Sequence, residues 1–221
     1  MTPPEILHTV SGLILSKKSN RPLLVAVNGK DASGKTIFAQ NLTTYLSKRT
    51  KRIVVNVSLD GFLNPSAIRN ATFESEARGS YESAFNTKGF IDNFLEPLTG
   101  VSRVYRPAIY DLSTDHEVIS EFINADDESI FIVDGLFLFR NALREYWDVK
   151  ILLEADEATL VERGARRDAS VFGSYEAAKK RYLSRYMPSQ TIYYEEAKPG
   201  EVADIIIDNA QPEQALLVRV H

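Results

Sequence analysis

Gly29-Lys30-Asp31-Ala32-Ser33-Gly34-Lys35-Thr36 fits G-x-x-x-x-G-K-[ST], a spacing with a direct chemical reading. Glycines at both ends let the backbone turn consecutive N–H groups inward, which makes a concave seat for phosphate oxygens. A helix after the segment would add its free N–H groups and its positive dipole end. Lys35 can then reach the β- and γ-phosphates of a nucleotide, and the Thr36 hydroxyl can join a Mg²⁺ shell. A glycine turn that merely caps a helix is the plain alternative. An apolar strand pattern before the segment and a helical pattern after it favour the phosphate seat.

Two acids have the right setting to work beside it. Asp60 ends an apolar run and precedes Gly61-Phe62. A carboxylate there can take a proton from an acceptor hydroxyl or hold Mg²⁺ through water. Asp134 closes another apolar run before Gly135, where an acid can join the metal shell. Turn chemistry of an Asp-Gly pair is the competing account of each. Arg163, Arg166 and Arg167 stand at i, i+3, i+4, so one helix face carries three guanidiniums. Either this is a solvated face, or Arg163 and Arg167 close over the transferring phosphoryl group. Tyr110, Asp111, Asp115 and His116 could hold an acceptor, whereas Tyr182, Tyr186, Tyr193 and Tyr194 read as packing residues.

The elements needed to position these groups are legible as periodicity. Residues 4–18 read as an amphipathic helix with Pro4 in its first turn and Ile6, Leu7, Val10, Leu13 and Ile14 on one face. Buried strands are expected at 22–27, 53–59, 129–135, 149–155 and 203–209. Phe38, Leu42, Tyr45 and Leu46 mark the helix after the phosphate seat. Further helices are expected at 83–98, 156–168 and 174–187, and 103–111 reads as extended, paired with 118–123. Alternating strands and helices imply a doubly wound α/β fold, a mainly parallel sheet with helices on both faces. Ligands in such sheets sit beyond the carboxyl ends of the strands, where Asn28 to Thr36, Asp60 and Asp134 all fall.

Composition narrows the function classes. The 221 residues suit a single domain (1–221), with an N-terminal helix over about 1–20, an acceptor-side hairpin over about 103–123 and a lid with its following helix over about 156–187. With 44% hydrophobic and 25% charged residues, the chain is neither a disordered tail nor a fibre. It has no cysteine, which excludes disulfides, thiolate nucleophiles and zinc–thiolate sites. A net charge of −4 argues against a nucleic-acid partner. Apolar runs too short for a membrane span, and no signal peptide, point to a cytoplasmic protein. Self-association as a homo-oligomer is compatible with this surface.

Taken together, these segments resemble the uridine kinase and phosphoribulokinase-like P-loop kinases, from about Pro22 to Asn209. The likeness rests on GKDASGKT, on Ser58-Leu59-Asp60-Gly61-Phe62, on Tyr81 to Asn86 and on Arg106-Pro107-Ala108-Ile109-Tyr110-Asp111. It continues through Ile132-Val133-Asp134-Gly135, Arg163 to Asp168 and Ala203-Asp204-Ile205-Ile206-Ile207. The resemblance implies a P-loop fold with a small hairpin and a helical lid insertion, and ATP and Mg²⁺ as cofactors. It implies transfer of a phosphoryl group to a hydroxyl of a small molecule, a nucleoside such as uridine or cytidine. In that reading Gly29 through Thr36 bind ATP, Thr36 and Asp134 hold the metal, and Lys35, Asp60, Arg163 and Arg167 are catalytic. Asp60, Phe62, Tyr110 and His116 would bind the acceptor. The chain departs from the pattern after Tyr110. Asp115 stands where uridine kinases have a histidine, His116 comes one position later, and ASVFGSYEAAKK precedes Arg181 and Arg185 where the family's lid carries arginines. A pantothenate- or sugar-like acceptor, a nucleotide-binding module without transfer activity, and a plain nucleotide hydrolase are the alternatives.

Overall fold

The structure, a computed structural model, describes residues 2–71 and 75–220. Its strands are β1 (Leu23–Gly29), β2 (Val54–Ser58), β3 (Val104–Tyr105), β4 (Tyr110–Asp111), β5 (His116–Glu117), β6 (Ile123–Asn124), β7 (Ile130–Gly135), β8 (Val149–Glu154), β9 (Ile205–Asp208) and β10 (Leu216–Val220). Six form one sheet in the order β10-β9-β8-β1-β7-β2, parallel except for the antiparallel edge pair β10–β9. β1 lies at the centre, with Val27 opposite Asp134 on one side and Gly29 opposite Leu153 on the other. Every residue of β1 and β7 is buried. That explains why they read as unbroken apolar runs rather than alternating ones.

Side chains alternate between two layers. Leu23, Val25 and Val27 pack with Ile6, Val10 and Ile14 of helix α1 (Pro4–Ser16) and with Phe38, Leu42 and Leu46 of helix α2 (Lys35–Ser47). Leu24 and Ala26 face the opposite layer, rich in aromatic rings, which includes Phe62, Phe90, Phe94, Phe131, Phe137 and Tyr193. The doubly wound α/β fold expected from the sequence, a mainly parallel sheet covered on both faces, is the one observed.

Several elements differ from expectation. The single helix over 83–98 is interrupted. One helix spans Glu76–Ser83, and a helical stretch with a π-turn covers 87–99. The backbone between them engages the segment after β2 instead. Asn64 N–H donates to the Ala84 carbonyl at 3.0 Å and Asn86 N–H to that of Phe62 at 2.8 Å. Asn86 then caps the second helix through Gly89 N–H. The hairpin is also fragmentary, because β3 pairs only with β6 and β4 only with β5. Pro107, lacking an N–H, lies between the two short pairs. The helix expected at 174–187 continues through a π-turn at Tyr182–Tyr186 to Ala197. Strand β10 lies beyond the last expected strand.

Candidate active site

β1 delivers the loop Gly29–Thr36 to the carboxyl edge of the sheet, and α2 begins within it. Gly34 has φ +90°, a backbone that favours glycine, and Ala32 shares the left-handed region at φ 61°. A Cβ on Gly29 would stand 2.4 Å from the Leu153 carbonyl oxygen and 2.7 Å from Ser33 Oγ. The loop therefore keeps its tight path only with glycine at that point.

Two amides hold this loop from outside. Gln190, wholly buried, accepts from Asp31 N–H at 3.0 Å and donates to the Asp31 carboxylate at 2.8 Å. Asn209, just beyond β9, donates to the Ser33 carbonyl at 2.7 Å. Neither stands out in the sequence. Asn209 follows a strand on the ligand side of the sheet, which is the one local feature that could have pointed to it.

Lys35 Nζ donates to the Lys30 carbonyl at 2.8 Å, inside the loop. Burial pushes this ammonium below its ordinary pKa, while Asp31, Asp60 and Asp134 pull the other way. At the head of α2, Thr36 Oγ1 donates to Asp134 Oδ2 at 2.7 Å. Asp134 Oδ1 accepts from Asn56 Nδ2 at 3.3 Å. This hydroxyl and carboxylate suit Mg²⁺, a cation usually bound through one or two protein oxygens together with phosphate oxygens and water. Ser33 Oγ is buried without a partner among the described residues, as suits a donor reserved for a phosphate oxygen.

Asp60 lies in a 3₁₀ turn, Leu59–Phe62, that Ser58 caps. β2 pairs with β7 so that Ser58 lies opposite Asp134, which sets the Asp60 turn beside the metal-type pair. The residue opens onto the cleft, but protein mass around its carboxyl raises its pKa. Lys35 opposes the rise, Asp31 and Asp134 add to it, and Arg167 opposes it. These four charges and Asp60 thus form one electrostatic unit.

The three lid arginines separate. Arg163 Nη1 donates to the Asn209 carbonyl at 3.0 Å and Nη2 to that of Ala210 at 2.5 Å, so it ties the lid helix Glu157–Arg167 to the end of β9. It does not line the cleft, contrary to the expectation that it closes over the phosphates. Arg166 is exposed and pairs with Glu162 at 2.5 Å. Arg167 alone of the three reaches the cleft, paired with Asp168 at 2.8 Å and donating to Tyr182 Oη at 3.0 Å. Burial would raise the Asp168 pKa, but hydrogen bonds from Arg167 and Tyr182 hold it below its ordinary value. Gly164 lets the lid helix lie on the Tyr182 ring, since a Cβ there would come within 2.2 Å of Cζ.

Of the expected acceptor residues, Phe62 is a core ring. It is fully buried, with Phe90 4.8 Å away centroid to centroid, and does not line the cleft. The 3₁₀ turn, with about three residues per revolution, carries Phe62 round to the core side while Asp60 faces the cleft. His116 is exposed on β5, beside the Thr114 carbonyl, also away from the cleft. Tyr110 is buried behind the cleft wall, where Arg69 donates to its hydroxyl at 3.2 Å and Asp115 accepts from it.

One cleft of roughly 300 Å³ joins these parts. Lys35, Thr36, Asp60, Asp134 and Arg167 line it, and so do Arg69, Arg181 and Arg185. Arg69 carried no local mark in the sequence. Among the described residues, no group of three or more His, Cys, Asp or Glu side chains gathers as a metal cage. No described helix is long and apolar enough to cross a membrane.

The family model described as Phosphoribulokinase / Uridine kinase family matches residues 24–215. A uridine kinase of Streptococcus gordonii is 27% identical over 192 residues, 85% of this chain and 87% of that protein. One from Streptococcus pneumoniae is 26% identical over 192 residues, covering 85% and 86%. A possible uridine kinase from Bacillus stearothermophilus superposes with a TM-score of 0.74 at 19% identity, over 92% of this chain and 97% of that one. The D-glycerate 3-kinase of Cryptococcus neoformans var. grubii superposes at 0.66 with 14% identity, over 96% and 99%. At such identities the structural likeness establishes the fold.

Proposed function

Since the chain belongs to the phosphoribulokinase/uridine kinase family of kinases, we propose that it transfers the γ-phosphoryl group of MgATP to a hydroxyl of a small molecule. The observation that carries this reading is the meeting of Lys35, Thr36, Asp60 and Asp134 in one cleft at the carboxyl edge of β1, β2 and β7. Loop N–H groups and the α2 N-terminus bind phosphate oxygens, and Lys35 neutralises charge on the phosphates as it builds up. Thr36 and Asp134 hold Mg²⁺, which supplies positive charge to the phosphate oxygens when bound. Asp60 orients the acceptor hydroxyl and takes its proton as the oxygen attacks γ-phosphorus. The bond to the β–γ bridging oxygen breaks, and ADP leaves. Arg167 reaches the same charge from the lid.

A carboxyl with a raised pKa suits a base that must accept a proton. Uridine is the acceptor suggested by the names of the relatives, and cytidine is the second candidate from the resemblance of the motifs. The test is transfer of labelled γ-phosphate from ATP to uridine, cytidine and a panel of other hydroxyl compounds. Acceptor-stimulated ADP formation with a labelled product is expected. Phosphate release at the same rate with and without acceptor would make the protein a hydrolase. ATP binding without turnover would make it a regulatory module.

A further inference from the structure

Beyond Asp60 the cleft wall changes character. Arg69 and Asn70 come from the segment after β2, and Arg181 and Arg185 from the helical run after the lid. These arginines are electrostatically close to one another. Burial, then Arg181 and Arg69, push Arg185 below its ordinary value, while Tyr186 and Glu76 oppose the fall. The three arginines come from other elements than the phosphate loop and the two acids at the strand ends. They form a second charged centre in the same cleft, separate from the phosphate seat.

Among the described residues the counter-charges are few. Arg69 faces the Asp115 carboxylate at 3.5 Å, and Arg181 faces Glu76 at 3.5 Å. Arg185 is 8% exposed and, among the described residues, pairs with no carboxylate. Its Nη1 donates to Asn70 Oδ1 at 3.0 Å and its Nη2 to the Arg69 carbonyl at 2.5 Å. Its Nε has no partner among the described residues. A guanidinium has five N–H donors and stays charged in proteins, so these two neutral contacts leave it under-used. Burying an unpaired charge is costly unless an anion answers it. Arg185 also sits in the π-turn Tyr182–Tyr186, a distortion found often at functional sites.

We propose that the acceptor carries an anionic group, a carboxylate or a phosphate ester, that docks on Arg69, Arg181 and Arg185 while its hydroxyl lies at Asp60. This rests on the kinase reading above and narrows its substrate class. An unmodified nucleoside has no such group. Arginine clusters bind carboxylates and phosphates through paired N–H donors, which fixes both position and orientation.

The test compares matched acceptors under MgATP: glycerol with glycerate, ribose with ribose 5-phosphate, and uridine with uridine 5′-monophosphate. Charged members are expected to exceed their neutral partners in kcat/KM by roughly tenfold to a hundredfold, as for a charged hydrogen bond gained. The carboxylate and phosphate pairs show which anion is read. Arg185→Met should raise the KM for the charged acceptor with a smaller change in kcat, and Arg185→Lys should recover part of it. Because Arg185 also tethers residues 69 and 70, Arg181→Gln gives the same comparison without that tether. Equal or better use of the neutral members overturns this proposal alone. Absence of transfer to every acceptor overturns the kinase reading, and this proposal with it.

Discussion

Asp60→Asn isolates the proposed proton acceptor, because it keeps the shape of the side chain and removes its charge. General-base assistance is worth about 10²–10⁴ in rate, or roughly 2.7–5.5 kcal/mol of barrier. Asp60→Asn should lower kcat by that factor while MgATP still binds, read by coupled ADP release and by calorimetry. The electrostatics add a pH signature. Burial, aided by Asp31 and Asp134, holds the Asp60 carboxyl above its ordinary value. The acid limb of wild-type kcat/KM should therefore lie above the normal carboxylate range, near 3.9, and should vanish in the variant. Stability should move the opposite way to activity. As pH rises from about 4 through the folded pKa, the unfolded chain has already lost a proton that the folded one retains. Folding stability falls across that window. Asp60→Asn should thus melt higher than wild type at pH 7, the gap closing below about pH 4. Because Asp60 opens onto the cleft, this gain is moderated by solvent. Turnover within tenfold of wild type, or a lower melting temperature at pH 7, would refute the reasoning.

Lys35→Ala should lower turnover at least about a hundredfold, since losing a donor to developing charge costs about 2.7–4 kcal/mol, and circular dichroism should show the fold intact. Arg163→Met should cost about 1.5–3 kcal/mol of stability in urea titration, through its lost bonds to the Asn209 and Ala210 carbonyls, with a smaller effect on kcat than Arg167→Met. Phe62→Ala should cost about 3–5 kcal/mol in the same assay, because its fully buried ring packs on Phe90 and Phe94. An unchanged stability there would mean that the ring is not a core member.

The expected elements that held were those written in contiguous residues. β1, β7 and β8 are short apolar runs because parallel strands are covered on both faces. The phosphate loop is legible because its glycines serve a local backbone need. Its clamps are not, since Gln190 meets Asp31 across 159 positions and Asn209 meets Ser33 across 176. Strand β10 escaped notice because its exposed edge lacks the continuous burial that marked the others. The break at 84–86 depends on carbonyls and N–H groups of residues 62–64, and a helical pattern in sequence holds no trace of that competition.

Arg163, Arg166 and Arg167 show the division most clearly. Their spacing assigns all three to one side of a helix, and sequence can go no further. Which guanidinium meets the end of β9, which meets solvent and which meets the cleft depends on where the sheet and the following helix lie around that side. Residue types and local periodicity determined the parallel α/β sheet, the phosphate loop and the two acids at strand ends, since each follows from interactions within a few residues. The joining of Arg69 with Arg181 and Arg185, the burial of Phe62 and the exclusion of His116 from the cleft were decided by packing between distant segments. Only the closed fold fixes those distances.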